Sequence, residues 1–316
     1  MDMVSTFKGS YFSEVFPKGW DIARIRDCAS NPPEAITERQ GFWHKDFQPI
    51  VCETLEEFEV YMGHEIAMRI ARAKSEGREL ILILPVGPMG MYKWAVFFLK
   101  EWDVDCQHVH GFNMDEWSDA EGNTLPASDP AAFQSAMINA FYGPLGKLTV
   151  PEAQRNFATK ENLPKYAEKI AALKSHGAEQ VMVYGIGRAC HIAFWEPHFA
   201  DEFETVEEWK KQPCRLGARL HPFTIEQNAL TSFRSNWSLI PCYANTIGPG
   251  IIFQSDYCIG GADGVFSRGM QWQGLTMWMT LRYGPDKAVT SSFIPTLPGK
   301  LFFMKELAGP LTPDTN

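Results

Sequence analysis

The stretch Leu80-Ile81-Leu82-Ile83-Leu84-Pro85-Val86-Gly87-Pro88-Met89-Gly90 decides how this chain is read. Five consecutive aliphatic residues are far too few to span a bilayer, and they suit a strand covered on both faces, as in a parallel sheet. The Pro/Gly cluster behind them is a turn. Upstream, Thr54 and Glu57 form an S/T-x-x-E capping box, and Leu55, Phe58, Met62, Ile66 and Ile70 follow at helical spacing until Gly77 ends the helix. Downstream, residues 92–102 read as the next helix. Helix, buried strand, turn and helix in succession is the pattern of an α/β protein.

The alternation continues along the chain. Residues 107–112 read as a strand and 115–128 as a polar loop. Asp129 caps and Pro130 opens a helix carrying Phe133, Met137 and Phe141. Pro164 opens another, with Tyr166, Ile170 and Leu173 on one face, and Gly177 stops it before a strand at 180–184. Thr205 and Glu208 make a second capping box, and 288–294 and 301–304 read as late strands. The expected fold is α/β, with a mostly parallel sheet covered on both faces. Residues 1–47 contain Pro17, Gly19 and Asn31-Pro32-Pro33 but no long periodic run. They are expected to form an irregular N-terminal extension lying on a single domain of residues 48–316, since their aromatics argue against a free tail.

Composition narrows the function. The chain has 316 residues, 45% of them hydrophobic, and a formal net charge of −9 with no dense basic run, so nucleic acid and anionic membranes are not expected partners. Seven cysteines, an odd number with no C-x-x-C pair, indicate neither a disulfide framework nor a structural zinc site. The N-terminus lacks the charged and apolar regions of a signal peptide, and a cytoplasmic location is expected.

Ligands of open parallel sheets bind beyond the carboxyl ends of the strands, and three loops occupy that position. The first carries Gly87, Pro88, Met89 and Gly90, whose backbone N–H groups can approach an anion at a helix N-terminus; an ordinary strand–helix turn has the same pattern. The second is Asn113-Met114-Asp115-Glu116-Trp117, two carboxylates at a strand end, where one can act as base on a carbon acid or both can simply be solvated. The third runs from Gly185-Ile186-Gly187-Arg188-Ala189-Cys190-His191 to Ile192-Ala193-Phe194-Trp195-Glu196-Pro197. Its histidine can shuttle protons near neutral pH, with Glu196 to tune it, or can be structural. Cys190 beside His191 is a poor nucleophile pair, because triads assemble in space rather than along the chain. His191 and His198 lack metal-ligand spacing and a third ligand.

Together these loops resemble the glucosamine-6-phosphate deaminase family, whose wider superfamily includes 6-phosphogluconolactonase. Phe112-Asn113-Met114-Asp115-Glu116-Trp117 is similar to the family's F-N-M-D-E-Y. Gly185-Ile186-Gly187 through His191-Ile192-Ala193-Phe194-Trp195-Glu196-Pro197 is similar to G-V-G-N-D-G-H-I-A-F-N-E-P. Tyr243-Ala244-Asn245-Thr246-Ile247-Gly248 resembles Y-A-L-T-V-G, and the Leu84-Pro85, Gly87 and Tyr92-Lys93 region resembles its phosphate loop. The resemblance implies a Rossmann-like three-layer sandwich and chemistry without a metal or cofactor on a small-molecule sugar or sugar phosphate, with homo-oligomers common. It implies that Asp115 moves a proton between C1 and C2 of an opened sugar. It further implies that His191 helps open the ring, supported by Glu196, and that Gly87, Pro88, Met89, Gly90, Glu116, Gly187 and Arg188 contact substrate. Glu196 favours the deaminase branch over a lactonase-type hydrolase.

Departures from the pattern are equally specific. The family's aspartate two residues before the histidine is Ala189 here, its T-G-G-T-P loop is two residues shorter and lacks a hydroxyl, and two of its cations fall near Gln227 and Asp263. Arg188, Arg219 and Arg268 are the arginines left to compensate. These losses leave open a sugar-binding homologue without turnover.

Overall fold

Leu80–Leu84 is wholly buried at the heart of the sheet that the aliphatic run predicts. The computed structural model describes residues 3–312. In chain order its elements are α1 (Tyr11–Val15), α2 (Ile22–Ala29), β1 (Phe47–Cys52), α3 (Leu55–Ser75), β2 (Leu80–Leu84), α4 (Gly90–Glu101), β3 (Val109–Asn113), β4 (Asp115–Ser118), α5 (Phe133–Met137) and β5 (Arg155–Asn156). There follow α6 (Tyr166–Ser175), β6 (Glu179–Gly185), α7 (Val206–Trp209), β7 (Cys214–Arg219), α8 (Pro222–Ser232), β8 (Tyr243–Ile247), α9 (Pro249–Ile252), β9 (Tyr257–Ala262), α10 (Gly274–Arg282) and β10 (Gly299–Met304). Among the described residues no helix is long and apolar enough to cross a membrane.

Seven strands form one parallel sheet in the order β1-β10-β9-β6-β2-β3-β5. From β2 the chain steps outward to β3 and β5, and from β6 it steps the opposite way to β9 and β10. Right-handed crossovers therefore place α3 and α4 on one face and α6 and α10 on the other, giving the α/β Rossmann-like sandwich. The order reverses between β2 and β6, so their carboxyl ends flank a crevice of the kind in which open α/β sheets hold ligands. A second, antiparallel sheet, β4-β8-β7, stands at the end of β3, with Asp115 opposite Thr246 and Glu116 opposite Asn245.

The capping signals mark real helix starts. Thr54 accepts from the Glu57 N–H at 3.1 Å, while the Glu57 carboxylate reaches back to the Glu53 N–H at 2.7 Å. At α7 the reciprocal box of Thr205 and Glu208 is complete. Residues 3–46 hold α1, α2 and 3-10 turns. Trp20 and Trp43 are buried, and their indole N–H groups donate to the carbonyls of Ala288 (2.7 Å) and Leu281 (3.0 Å).

Three local readings need correction, and one strand is unread in the sequence. Residues 115–128 are not a loop throughout, because Asp115–Ser118 is β4, hydrogen-bonded to a strand more than a hundred residues later. The helix expected from Pro130 starts at Phe133; Asp129 instead accepts from the Ala131 N–H at 2.8 Å, and a π turn over Ile138–Tyr142 follows. Residues 288–294 form no strand: Thr290–Thr296 is a 3-10 helix whose hydroxyls bond internally, as Ser291 does to Thr280 at 2.6 Å. Finally, Phe47–Cys52 is an edge strand, concealed in the sequence by Gln48 and Pro49.

Candidate functional site

The crevice between β2 and β6 opens into a cavity of about 380 Å³, within the range of small-molecule sites. The loops after β2, β3, β6 and β9 wall it, with α8 and Phe133 closing it over. Gly87, in left-handed backbone (φ +114°), makes the turn after β2, and a Cβ at Gly185 would meet the Gly87 carbonyl oxygen at 2.8 Å. Glycine at both positions lets the two central loops touch.

Asp115 lines the cavity and is 7% exposed. Its Oδ1 has no hydrogen-bond partner among the described residues. Burial, helped by the adjacent Glu116, pushes its carboxyl well above the ordinary carboxylate range. Glu116 takes the other direction across β4 and does not line the cavity. Its Oε1 accepts from the N–H groups of Trp117 (3.0 Å) and Phe133 (2.8 Å), and its Oε2 from that of Gln134 (2.8 Å). Burial raises its carboxyl, and these three N–H groups pull against that rise. Glu116 thus ties the start of α5 to β4, which is a fixing role rather than the substrate contact the motif suggests.

His191 lines the same cavity. Its Nδ1 lies 3.3 Å from Glu196 Oε2, and both side chains are buried. Thr224, on α8, stands 3.1 Å from the same Nδ1 and donates its hydroxyl to the same Oε2 at 3.0 Å. With Nδ1–H directed at the carboxylate, Nε2 is left as the working nitrogen. The ring lies against Gly187, where any Cβ would collide with it, Nε2 first. Cys190 and Ala193, on either side of the histidine, are both left-handed (φ 56° and 54°), a costly conformation for residues with a Cβ, so the loop holds the imidazole in place at the expense of local strain. Ala189 is buried; the third group beside the His–Glu pair is Thr224.

The remaining expected contacts divide. Gly87, Pro88, Met89 and Gly187 line the cavity, whereas Gly90 and Arg188 do not. Gly90 is the first residue of α4, with the Glu59 carboxylate packed against it. The guanidinium of Arg188 is paired with Glu226, and its backbone N–H donates to Gln227 Oε1 at 2.6 Å. Arg219 is exposed on β7, and the side chain of Arg268 lies outside the described residues. Cys190 is buried with its Sγ 3.8 Å from Met279 Sδ, and burial drives its thiol far up, which disables it as a nucleophile. Among the described residues no cluster suits a metal ion.

Several lining residues escape motif reading. Asn228, Thr231 and Ser232 come from α8, whose only sequence signal is His221 capping ahead of Pro222. Gln273 links the loops after β6 and β9, donating to the Ile186 carbonyl at 2.6 Å and accepting from the Gly264 N–H at 2.7 Å. Asp263 and Gln227, near which two cations of the resembled family fall, both line the cavity.

Comparison with known proteins places this geometry. No family model matches the chain. A glucosamine-6-phosphate deaminase of Borrelia garinii subsp. bavariensis is 28% identical over 216 residues, covering 65% of this chain and 72% of the relative. The chain is related to the glucosamine-6-phosphate deaminases. Its fold superimposes on a monomeric glucosamine-6-phosphate deaminase with a TM-score of 0.65, at 19% identity over 82% of this chain and 98% of the other. A 6-phosphogluconolactonase from Shewanella baltica shares the fold at a TM-score of 0.55, with 12% identity over 83% of this chain and 99% of the other. The motif resemblance and the α/β fold it implied therefore hold, and the named relatives are enzymes of sugar phosphates.

Proposed function

We propose that the chain is an isomerase or deaminase that moves a proton between C2 and C1 of an opened aldose or amino sugar. What supports this reading above all is that Asp115 and His191 share one cavity, with Asp115 Oδ1 free of a hydrogen-bond partner among the described residues and His191 fixed by Glu196 and Thr224. His191 Nε2 takes the proton of the C1 hydroxyl and returns it to the ring oxygen as the C1–O5 bond breaks, leaving an aldehyde. Asp115, ionised, then removes the C2 proton. The C–H electron pair becomes the C1=C2 bond of an enol or enolamine as the C1=O π pair moves to O1, which takes a proton from solvent. The C2 proton then returns to C1 while the hydroxyl or amino proton at C2 leaves to solvent, making C2 a carbonyl or imine carbon. An aldose gives a ketose, and an amino sugar gives an imine that water converts to ketose and ammonia. Residues 48–316 are the domain that carries this site, and residues 1–47 an extension upon it.

The decisive experiment incubates the protein in D₂O with aldoses and amino sugars, free and 6-phosphorylated, and follows deuterium at C1 and C2 by NMR with ammonia measured in parallel. Exchange is expected with at least one of them. Ring-opened acid released from sugar lactones, with no exchange in any aldose or amino sugar, would replace this reading with a hydrolase.

A further inference from the structure

The ionisable groups lining the cavity are Asp115, His191 and Asp263, and among the described side chains no lysine or arginine joins them. A sugar phosphate would arrive with about two negative charges at neutral pH, and a protein that recognises one supplies guanidinium, ammonium or free N–H groups. Among the described residues, the nearby cations and three of the loop N–H groups are already engaged. Arg188 is neutralised by Glu226. Lys93, at the start of α4, is exposed and its Nζ lies 5.1 Å from the Trp94 ring. The N–H groups of Gly187, Arg188 and Gly264 are bonded to His191 O, Gln227 Oε1 and Gln273 Oε1.

Acids stand where an anion would need to sit. Asp263 follows β9 on the cavity wall, and the Glu59 carboxylate, close enough to act on Asp263 electrostatically, lies against Gly90 at the N-terminal end of α4. That end carries the helix's positive partial charge, which otherwise favours phosphate. Strand order separates this wall from the reacting groups. Asp115 follows β3 and Asp263 follows β9, three strands apart and so roughly 14 Å at the usual interstrand spacing. An opened hexose with C1 and C2 at Asp115 spans roughly half of that distance, and the two side chains reach in from either end.

We propose that this site takes sugars without a phosphate group, and that Asp263 and Glu59 select against the phosphorylated form. The proposal rests on the reading of this cavity as a sugar site. Asp263 instead accepts hydrogen bonds from the terminal hydroxyls of a neutral or amine-bearing sugar, with Gln227, Thr231 and Ser232 on the adjoining wall.

The test is calorimetric titration at pH 8 of the full chain with glucosamine, glucose and their 6-phosphates, repeated on Asp263→Asn combined with Glu59→Gln. The parent is expected to bind the free sugars at least tenfold more tightly than the phosphates, and the double variant to narrow that ratio at least tenfold. Equal or tighter binding of the phosphates by the parent overturns the proposal, as does an unchanged ratio in the variant or failure of any sugar to bind. Free-sugar binding without C2 exchange removes the isomerase reading and leaves this one standing; exchange confined to tightly bound 6-phosphates does the reverse.

Discussion

Beside β3, Asp115 and Glu116 are two buried carboxyls with divided duties; beside β9, Asp263 and the Glu59 of α3 are two acids within electrostatic reach of each other. Glu116 is consumed by three backbone N–H groups, and Asp115 keeps an oxygen free. Among the described residues neither Asp263 nor Glu59 has such a cradle from its neighbours, and burial raises Asp263 to about 6 rather than well beyond the carboxylate range. The difference lies in what each second acid does. A carboxylate fixed by peptide dipoles organises the fold and raises its neighbour, whereas one left beside another acid sets the charge that a ligand meets.

Substituting Asp115→Asn tests the first wall most severely. C2 exchange should fall by ~10²–10⁴-fold, the usual weight of a positioned general base. In the parent, the acid limb of the exchange rate should sit above the ordinary carboxylate range, because Asp115 must lose a proton that burial retains. An acid limb near pH 6 would equate the two walls, and one near pH 4 would reverse the contrast. A pH–rate profile measured by deuterium incorporation decides this.

Thr224→Val is expected to have the next largest effect. The hydroxyl bonds a fully buried carboxylate and adjoins His191 Nδ1. Losing a hydrogen bond to a charged group costs ~1.5–3 kcal/mol, or roughly 10–100-fold in kcat. Thr224→Ser should restore most of it. A serine that fails to rescue would make Thr224 a packing residue and leave Glu196 as sole partner of the imidazole.

Legibility in the sequence follows the same division. Leu80–Leu84 and the helix behind Thr54 were readable because periodicity and caps are local. Asp115, His191 and Glu196 were readable because they sit in short motifs beside strands. Thr224 was not, since it meets Glu196 only through the placement of α8, 28 residues away. The pairing of β4 with β8 was hidden for the same reason: Asp115 and Glu116 have loop-like propensity, and a distant strand overrides it. The roles expected of Arg188 and Glu116 went astray because a sequence shows a charge but not the partner that consumes it.

The smallest effect belongs to the β9 wall, in stability rather than rate. Asp263 has a folded pKa of about 6 against an ordinary 3.8, with burial the main cause. The folded chain therefore holds this proton more tightly than the unfolded chain. The associated stability is fully present below about pH 3.8 and is lost as pH rises through about 6. Asp263→Asn has no proton to lose. Its Tm should match the parent's near pH 4, rise above it between pH 4 and 6, and keep a constant advantage at higher pH. Allowing for solvent screening, the gain is about 1 kcal/mol. Thermal melts across that window sharpen the comparison, since an advantage that appears only above pH 7 would mean that Asp263 titrates with the deeply buried Asp115 wall and that the two sides of the cavity are electrostatically one.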